Sequence, residues 1–445
     1  ANTACSQEQF RSGPMKLQWF GAPGPEKITD RHNKTSAPLY KDGRLYVPGL
    51  NRFTAVDAYN GTILWEKDIP DSVRIGAMRD ASNIAVADQA LLVAARGECI
   101  SLDPQSGREL RRTSVDTLFG DKSGEWAYLA TVGDMLYGSV SREKSIERHE
   151  VVAREAIWRR DDPLVVCSDR VFAIRMGTDQ LRWQYQAESG VIINATIAIA
   201  NGRVHFIQSD NPETAAIKNG QVALRSRLKK ASLLALDAGT GKLLWKQPVN
   251  LPSITDAIYL SSGTDALIVT GSHYRDVSVA ERKGRVKPKQ ASRTRYEVFA
   301  FDCADGRELW RRLLTPNRDH ELAGGHGINI QHPAIVGDVA YGPGFAFHLR
   351  SGQDIDGWKW QIGQKCGTVS LSLNYAFSRF TSQKLSYMFD LKSGKNRPLS
   401  LVSRPGCWIN IIPAGGLVLV PEARAGRTCE YSLQASLAFL PVSPD

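Results

Sequence analysis

The feature that most constrains the fold is a short segment that recurs along the chain. Residues 237–249 read DAGTGKLLWKQPV, in which Asp237 ends an apolar run, a glycine-rich turn follows, and Trp245 comes after two leucines. Asp, Asn and Gly supply the positive-φ positions of a tight turn, so each copy predicts two antiparallel strands. Further copies, some of them weaker, begin at residues 56, 102, 174, 301, 347 and 389. The segment is therefore one unit of a repeat rather than a single hairpin.

A second hairpin precedes each copy, as in LYKDGRLYVPG before residue 56 and AIANGRVHFI before residue 237. Two hairpins make a four-stranded antiparallel sheet, and sheets of this kind stacked radially form a β-propeller. Seven units are complete, whereas the last one, which begins at CWINIIPAGGLVLVPE, has only a third strand at 436–442. The segment MKLQWFGAPG at 15–24 carries the missing pattern. We therefore expect an all-β, eight-bladed propeller spanning 1–445 as one domain, closed by residues 16–20 pairing with 436–442, with seven blades as the alternative.

The repeat resembles the PQQ-like (quinoprotein-type) propeller repeat, with its Asp-x-x-x-Gly-x-x-x-Trp spacing. The match runs through Asp57/Gly61/Trp65, Asp237/Gly241/Trp245 and Asp302/Gly306/Trp310. Arg111 stands where one copy should have its Trp, and the copy with Asp390 and Gly394 also lacks it. The resemblance implies the fold and a Trp that packs between blades. It leaves the chemistry open, because the family includes dehydrogenases as well as assembly scaffolds.

The two ends of the chain resemble exported propeller proteins of planctomycete-type bacteria, in which such a module follows other domains. That resemblance implies a periplasmic or extracellular module of a larger protein, in keeping with a chain that lacks an initiator Met. The longest apolar stretches, such as 191–200, are about half of what a bilayer-spanning helix needs, so no membrane span is expected.

The candidate site lies where the inner strands of the blades begin, beside the central channel on one face. Buried channel mouths shift pKa values and bind ligands. The candidates for catalysis are Asp30, Arg31, His32 and His326, and those for substrate binding are Glu125, Trp126, Asn194, Asp256, Trp408 and Asn410. A slip of one residue would turn each of these side chains to the other face. The alternative for each is a hydrogen-bonded structural group.

Cys366 and Cys407 open adjacent inner strands at matching positions, which favours a disulfide between them. Unpaired thiols, or a soft metal held with His326, are the alternatives, and no Cys-x-x-Cys spacing supports the metal. Glu125, Asn194 and Asp256 are candidates for Ca²⁺ or another divalent cation, although their spacing shows no calcium motif. PQQ itself is not expected, because the quinoprotein dehydrogenases that this chain resembles carry adjacent cysteines and this sequence has none.

Three long loops are predicted on the same face, at about 141–164, 209–230 and 274–295. The first is charge-balanced, the second carries a net charge of +3 and the third +6, so the last two supply +9 of the chain's +10. A localised positive field attracts anionic partners. Nucleic acid is not expected, because these loops carry no recognised motif and no aromatic-plus-basic platform.

The sequence thus favours an exported enzyme or binder, of lyase or hydrolase type, for an anionic oligo- or polysaccharide. In this hypothesis His32 or His326 acts as general acid or base, Arg31 neutralises a substrate carboxylate, and Trp126 or Trp408 stacks on a sugar ring. The alternatives are a non-catalytic protein-interaction scaffold and a quinoprotein-type dehydrogenase.

Overall fold

The structure is a computed structural model. It describes residues 4–11, 13–21, 29–30, 35–74, 83–120, 124–142, 144–146, 165–217, 220, 222–251, 253–255, 257–273, 295–314, 332–342, 345–358, 369–379, 385–406, 408–422, 424–425 and 435–442. No helix among these residues has both the length and the apolar character needed to cross a membrane.

The first half of the described chain forms antiparallel sheets, numbered 1 to 4 in chain order, after β1 (Met15–Gly21) and β2 (Thr29–Asp30). Sheet 1 contains β3 (Leu39–Lys41), β4 (Arg44–Pro48), β5 (Arg52–Asp57) and β6 (Ile63–Asp68). Sheet 2 contains β7 (Ile84–Val86), β8 (Leu91–Ala95), β9 (Glu98–Leu102) and β10 (Glu109–Ser114). Sheet 3 contains β11 (Glu125–Val132), β12 (Met135–Ser141), β13 (Cys167–Arg175) and β14 (Leu181–Gln186). Sheet 4 contains β16 (Ala198–Ala200), β17 (Arg203–Ser209), β18 (Ala231–Asp237) and β19 (Leu243–Val249). The short strand β15 (Val191–Ile193) pairs with both β13 and β17 and so joins sheets 3 and 4.

The second half continues with sheets 5 to 8. Sheet 5 contains β20 (Ala257–Ser262), β21 (Ala266–His273), β22 (Arg295–Asp302) and β23 (Glu308–Leu314). Sheet 6, as far as it is described, contains β24 (Ala334–Val336), β25 (Val339–Gly342) and β26 (Phe345–His348). Sheet 7 contains β27 (Ser370–Leu371), β28 (Tyr375–Arg379), β29 (Ser386–Asp390) and β30 (Asn396–Ser400). Sheet 8 contains β31 (Ile412–Ala414), β32 (Leu417–Val420), β34 (Ser436–Pro441) and β1, while β33 (Arg424–Ala425) pairs with β2. The predicted four-stranded antiparallel sheets are confirmed.

Closure between the two ends of the chain follows the prediction from the repeat. Strand β1 pairs antiparallel with β34, with Met15 opposite Pro441 and Gly21 opposite Ser436. The segment before β1 also reaches the last sheets, since the Glu8 carboxylate accepts the backbone N–H of Gly415 at 2.8 Å and of Gly416 at 3.1 Å. The outer strand of sheet 8 therefore comes from the start of the described chain.

The aspartate of the repeat shapes its turn. In sheet 1 one carboxylate oxygen of Asp57 accepts the backbone N–H of Tyr59 at 2.8 Å and of Asn60 at 3.1 Å. Gly61, at the end of the same turn, has φ of 78°. Asp and Asn form such side-chain turns readily, and only Gly takes this φ without steric cost. Local chemistry thus explains the Asp-x-x-x-Gly spacing.

The tryptophan of the repeat packs between sheets, as predicted. Five described tryptophans each lie over the turn glycine of the next sheet, close enough that an added Cβ would come within 2.5 to 2.8 Å of the ring. The pairs are Trp19 on Gly61, Trp65 on Gly107, Trp183 on Gly241, Trp245 on Gly306 and Trp310 on Gly352. Each indole N–H also donates to a turn carbonyl, at 2.7 to 3.3 Å: Ala58, Pro104, Ala238, Cys303 and Leu349 in the same order. A large apolar ring and a satisfied N–H together hold adjacent sheets in register.

The junction between sheets 2 and 3 is built differently. Arg111 occupies the tryptophan position of sheet 2, and Asp179 occupies the glycine position of the turn in sheet 3. The Arg111 guanidinium donates to both carboxylate oxygens of Asp179, and Thr113 Oγ1 donates to the same carboxylate at 2.7 Å. The positive φ of this turn has moved to Gly177, at 73°, and Asp179 has no positive φ. A side chain is therefore tolerated at Asp179, where the other turns need glycine.

The insert at 209–230 is folded rather than a simple cationic loop. It contains the short helices Pro212–Ala215 and Leu224–Arg227, and Arg227 is fully buried and donates to the Thr214 carbonyl at 2.6 Å. Arg142 ties the insert to sheet 3, since it donates to the carbonyls of Ala215 and Ile217 and to the Asp169 carboxylate. The expected net charge of +3 is therefore not all surface charge, because one guanidinium is part of the packing. The loops 147–164 and 274–294 lie outside the described residues.

Candidate functional site

Most of the predicted catalytic residues lie outside the described part of the chain. These are Arg31, His32 and His326. The substrate-binding candidate Asp256 and the cysteines Cys366 and Cys407 also lie outside the described residues. Asp30 is described in its backbone, where it pairs with Ala425 in the short parallel ladder of β2 and β33. The acid–base pair and the disulfide therefore stay predictions, and the cysteines recorded as free thiols among the described residues are Cys5, Cys99, Cys167 and Cys303.

Asn194, a predicted ligand-binding residue, is fully buried in a network that joins sheets 3 and 4. Its Oδ1 accepts from Ser168 Oγ at 2.7 Å, and its Nδ2 donates to Ser139 Oγ at 3.2 Å. Ser168 also contacts Ser139 at 2.9 Å, which closes a triangle of three side chains. Buried polar groups are stabilising only when they are paired in this way. The alternative of a structural polar group therefore describes Asn194 in this structure.

Trp126 and Glu125 begin β11, beside the same strand that carries Ser139. The Trp126 side chain is 1% exposed and meets Phe172 edge-on, with ring centroids 4.9 Å apart. Gly138 gives it room, because a Cβ there would come within 2.5 Å of the indole. The indole thus occupies the core between sheets 2 and 3 and presents no face to a ligand. Glu125 is half-buried and pairs through its backbone with Ser141.

Trp408 and Asn410 precede the first strand of sheet 8. Trp408 is 4% exposed and has φ of 67°, a conformation that a bulky residue rarely adopts. Asn410 is half-buried. The structure therefore places Glu125, Trp126 and Asn194 around β12, while Trp408 and Asn410 lie in the segment before sheet 8.

Two buried arginines near inner strands were not predicted from the sequence. Arg74, which follows sheet 1, is 2% exposed and donates to the carbonyl of Ala127 in β11. Arg404, which precedes sheet 8, is also 2% exposed. In the segment between sheets 1 and 2 that also contains Arg74, Asn83 accepts a hydrogen bond from Ser36 Oγ at 2.8 Å and donates to the carbonyls of Ser72 and Ala94. A charged residue in the connection that follows the outer strand of a unit was the available signal, but charge alone does not reveal burial.

The described residues contain no cluster of three or more His, Cys, Asp or Glu side chains arranged to hold a metal ion. Of the predicted calcium ligands, Asn194 already accepts a hydrogen bond from Ser168 at its amide oxygen, and Asp256 is outside the described residues. The described side chains alone therefore do not make the predicted cation site.

A cleft of about 740 Å³ opens at the irregular junction between sheets 2 and 3. Its apolar lining includes Val86, Leu92, Leu110, Leu136, Ile174 and Met176. Charged side chains also line it, among them Lys41 with Asp88, and Arg175 with Asp134, which form ion pairs at 2.6 and 3.3 Å. Buried Cys99 lies in the wall, and its burial raises the thiol pKa to about 12, so the thiol is protonated at neutral pH. The volume is within the range of ligand sites.

Comparison with known proteins gave one matching family and several similar solved structures. Residues 26–125 and 161–356 match a family model described as outer membrane protein assembly factor BamB. Quinohemoprotein alcohol dehydrogenase from Comamonas testosteroni superimposes with a TM-score of 0.57 at 13% identity, covering 100% of this chain and 80% of that one. A quinohemoprotein alcohol dehydrogenase from Pseudomonas putida HK5 gives 0.54 at 11% identity, with coverage of 96% and 76%. BamB from Moraxella catarrhalis gives 0.39 at 10% identity, with coverage of 95% and 83%. No curated protein matches the chain. At these identities the two dehydrogenase structures speak for the β-propeller fold alone.

Proposed function

The chain belongs to the PQQ-like β-propeller repeat family, and we propose that within this family it serves as a protein-interaction scaffold of the cell envelope. The observation that carries the proposal is that two of the predicted ligand-binding side chains are engaged in hydrogen bonds and packing inside the fold. Asn194 and Trp126 hold sheets 2, 3 and 4 together, while the cleft between sheets 2 and 3 has an apolar lining with paired charges. An apolar centre with a polar rim is the usual anatomy of a protein interface.

We also propose that the ring has eight blades. Sheets 1 to 8 would each form one blade, with β1 as the outer strand of the eighth. The pairing of β1 with β34 and the position of Trp19 over Gly61 support this closure, because they connect sheet 8 to sheet 1 in the same way as Trp65 connects sheet 1 to sheet 2. A particle image of the purified chain viewed along the ring axis would count the blades, and seven would contradict the proposal.

The envelope location rests on the description of the matching family, an outer membrane protein assembly factor. Fractionation of cells that produce the natural full-length protein tests it. Recovery with periplasmic or extracellular markers supports the proposal, and recovery with cytoplasmic markers contradicts it.

The scaffold function is tested by in-cell crosslinking, followed by reconstitution from two purified components. We expect one polypeptide to be crosslinked reproducibly and then to form a saturable complex with the full chain in solution. Turnover of an anionic glycan, or quinone-dependent oxidation of an alcohol by the purified chain, would overturn the proposal. So would the absence of any partner that survives reconstitution.

An anionic carbohydrate ligand is the second candidate, and the charge of the 274–295 loop, +6, favours it. Arg31, His32 and His326 would then serve as the predicted acid–base and carboxylate-binding groups. A charge-reversal variant, Lys287→Glu with Lys289→Glu, should weaken binding to sulfated and uronic-acid glycans at low salt. The matched control reverses Lys392 and Lys395, two exposed lysines in the turn of sheet 7. Equal binding by both variants, or no binding by the parent chain, would contradict this candidate.

A further inference from the structure

The irregular junction between sheets 2 and 3 lacks a group that the five regular junctions possess. At each regular junction an indole fills the space over a turn glycine. Its N–H donates to the carbonyl of the residue that follows the first position of the repeat, which is the position of Asp57 in sheet 1. In sheet 3 that first position is Arg175, so the corresponding carbonyl belongs to Met176. No hydrogen bond from a described residue reaches Met176 O. The junction therefore presents a backbone acceptor where an indole N–H is bound elsewhere in the same chain.

The space for a ring is present as well. Arg111 extends to Asp179, at the turn position that an indole covers elsewhere, so the unfilled volume lies beside this ion pair, next to Leu92 and Met176. In sheet 1, Tyr46 of β4 lies across Ala55 from Trp65. Its counterpart in sheet 2 is the smaller Leu92 of β8, which lies opposite Ser101. Together these substitutions leave the cleft of about 740 Å³, which has Leu92, Ile174 and Met176 in its lining.

The charges around the cleft suit a neutral group. Lys41 is paired with Asp88, Arg175 with Asp134, and Arg111 with Asp179, so each cation has a carboxylate within 3.3 Å. An anionic ligand would have to displace one of these carboxylates. A neutral aromatic ring can lie between the ion pairs, and a guanidinium group is attracted to the face of such a ring.

We propose that the cleft between sheets 2 and 3 binds a tryptophan side chain presented by a partner polypeptide, with its indole N–H donated to Met176 O. This inference rests on the proposed scaffold function and assigns it a contact site. The partner supplies in trans the ring that the neighbouring strand supplies in cis at the regular junctions. Buried tryptophans are among the side chains that contribute most to protein interfaces.

The test uses the full chain and a short peptide with a central 5-fluorotryptophan flanked by Gly and Ser. Fluorine resonance reports only the probe, because the chain's own tryptophans carry no fluorine. We expect saturable binding, and at least about tenfold weaker binding of the same peptide with leucine at the centre, measured by competition. N-acetyl-tryptophanamide forms a separate arm, and its binding as tightly as the peptide would mean that the site takes a free indole compound and not a polypeptide.

The decisive variant rebuilds the regular junction inside the chain, with Arg111→Trp and Asp179→Gly together. It should close the cleft, abolish peptide binding and raise the thermal midpoint. Arg112→Trp is the matched control: Arg112 is the next residue of β10, it pairs with Glu98 and Glu109 away from the cleft, and its replacement should leave peptide binding unchanged. Ala90→Phe, which fills the cleft from β7–β8, provides a second closed variant if the double replacement fails to fold.

No saturable peptide binding to the parent chain would overturn the inference, and so would equal binding by the parent and a folded closed variant. If the closed variant still forms the crosslinked partner complex with unchanged affinity, the scaffold function stands and the contact site is wrong. If the parent binds the peptide but no partner survives reconstitution, the scaffold function fails and the cleft remains an indole site.

Discussion

His205 shows that one position of the repeat can hold a different residue at a cost in folding free energy. It lies in β17 opposite Ala235, which in turn pairs with Trp245. The same position holds Tyr46 in sheet 1 and Tyr137 in sheet 3, and each tyrosine hydroxyl donates to the carbonyl that its neighbouring Trp also uses. In sheet 4 Arg203 already donates to that carbonyl, on Cys303. His205 is 1% exposed, and neither of its ring nitrogens bonds to a described residue.

This burial makes the stability of the chain sensitive to acid. Desolvation lowers the pKa of His205 from 6.5 to about 4, so between these values the unfolded chain takes up a proton that the native chain does not. Stability is therefore fully retained above pH 6.5 and falls as the pH drops toward 4. The linkage amounts to about 3 kcal/mol at most.

We predict that His205→Phe removes this part of the acid sensitivity. At pH 7 it should also stabilise the chain by about 1 kcal/mol, because two buried unpaired nitrogens are replaced by an apolar ring. Urea unfolding of the parent and the variant at pH 7, 5.5 and 4.5 measures both effects. A constant difference between the two proteins across this range would contradict the assignment.

At the scale of the element, the turn glycine of the repeat has two separate functions: it adopts a positive φ, and it leaves room for the indole. Two glycines with nearly the same φ distinguish these functions. Gly241 has φ of 71° and lies under Trp183, where an added Cβ would be 2.5 Å from the ring. Gly202 has φ of 70° in the β16–β17 hairpin, and nothing lies within 4 Å of an added Cβ. Both need the left-handed conformation, but only Gly241 also needs to be small.

The matched pair Gly241→Ala and Gly202→Ala separates these costs. Gly202→Ala should lose only the conformational term of about 1 to 2 kcal/mol. Gly241→Ala should lose about 1 to 3 kcal/mol more, because the methyl group displaces the indole. Guanidinium unfolding followed by circular dichroism measures both. Equal losses would show that the tryptophan adapts and does not hold the junction.

At the scale of the whole molecule, closure depends on a strand from the opposite end of the described chain. Trp19 of β1 is 7% exposed and bonds to Ala58 O at 2.7 Å, so it links sheet 8 to sheet 1. Phe20, the next residue, is 63% exposed. The two aromatic residues therefore offer a contrast between closing the ring and lying on its surface.

We predict that Trp19→Ala lowers the free energy of unfolding by about 3 to 5 kcal/mol, whereas Phe20→Ala changes it by less than about 0.5 kcal/mol. The loss should appear in one cooperative transition if the sheets unfold together, and calorimetry of the three proteins measures both quantities. A small effect of Trp19→Ala would mean that the pairing of β1 with β34 closes the ring without the indole.

The repeat made much of the fold predictable because its signals are local. Turn glycines, Asx turns and the Trp spacing act within about ten residues, and they located the hairpins, the inter-sheet tryptophans and the closing strand. The predicted site depended on which groups from distant units meet, and periodicity carries no information on that. Asn194 illustrates the difference: an inward polar residue was predictable, but its engagement by Ser139 and Ser168 depends on two other strands.

The sequence by itself determined the antiparallel sheets, their turns and the packing of tryptophan on glycine, because each arises from conformational preferences of neighbouring residues. Only the tertiary structure decided that Arg111 and Asp179 replace that packing together and that a cleft opens between their sheets. The two residues are far apart in the chain, so they pair only once the sheets are in contact. Only there does Met176 line a cleft while its carbonyl accepts no hydrogen bond from a described residue. Hydrogen bonding and burial are properties of the assembled ring, since they depend on the partner surface as much as on the residue.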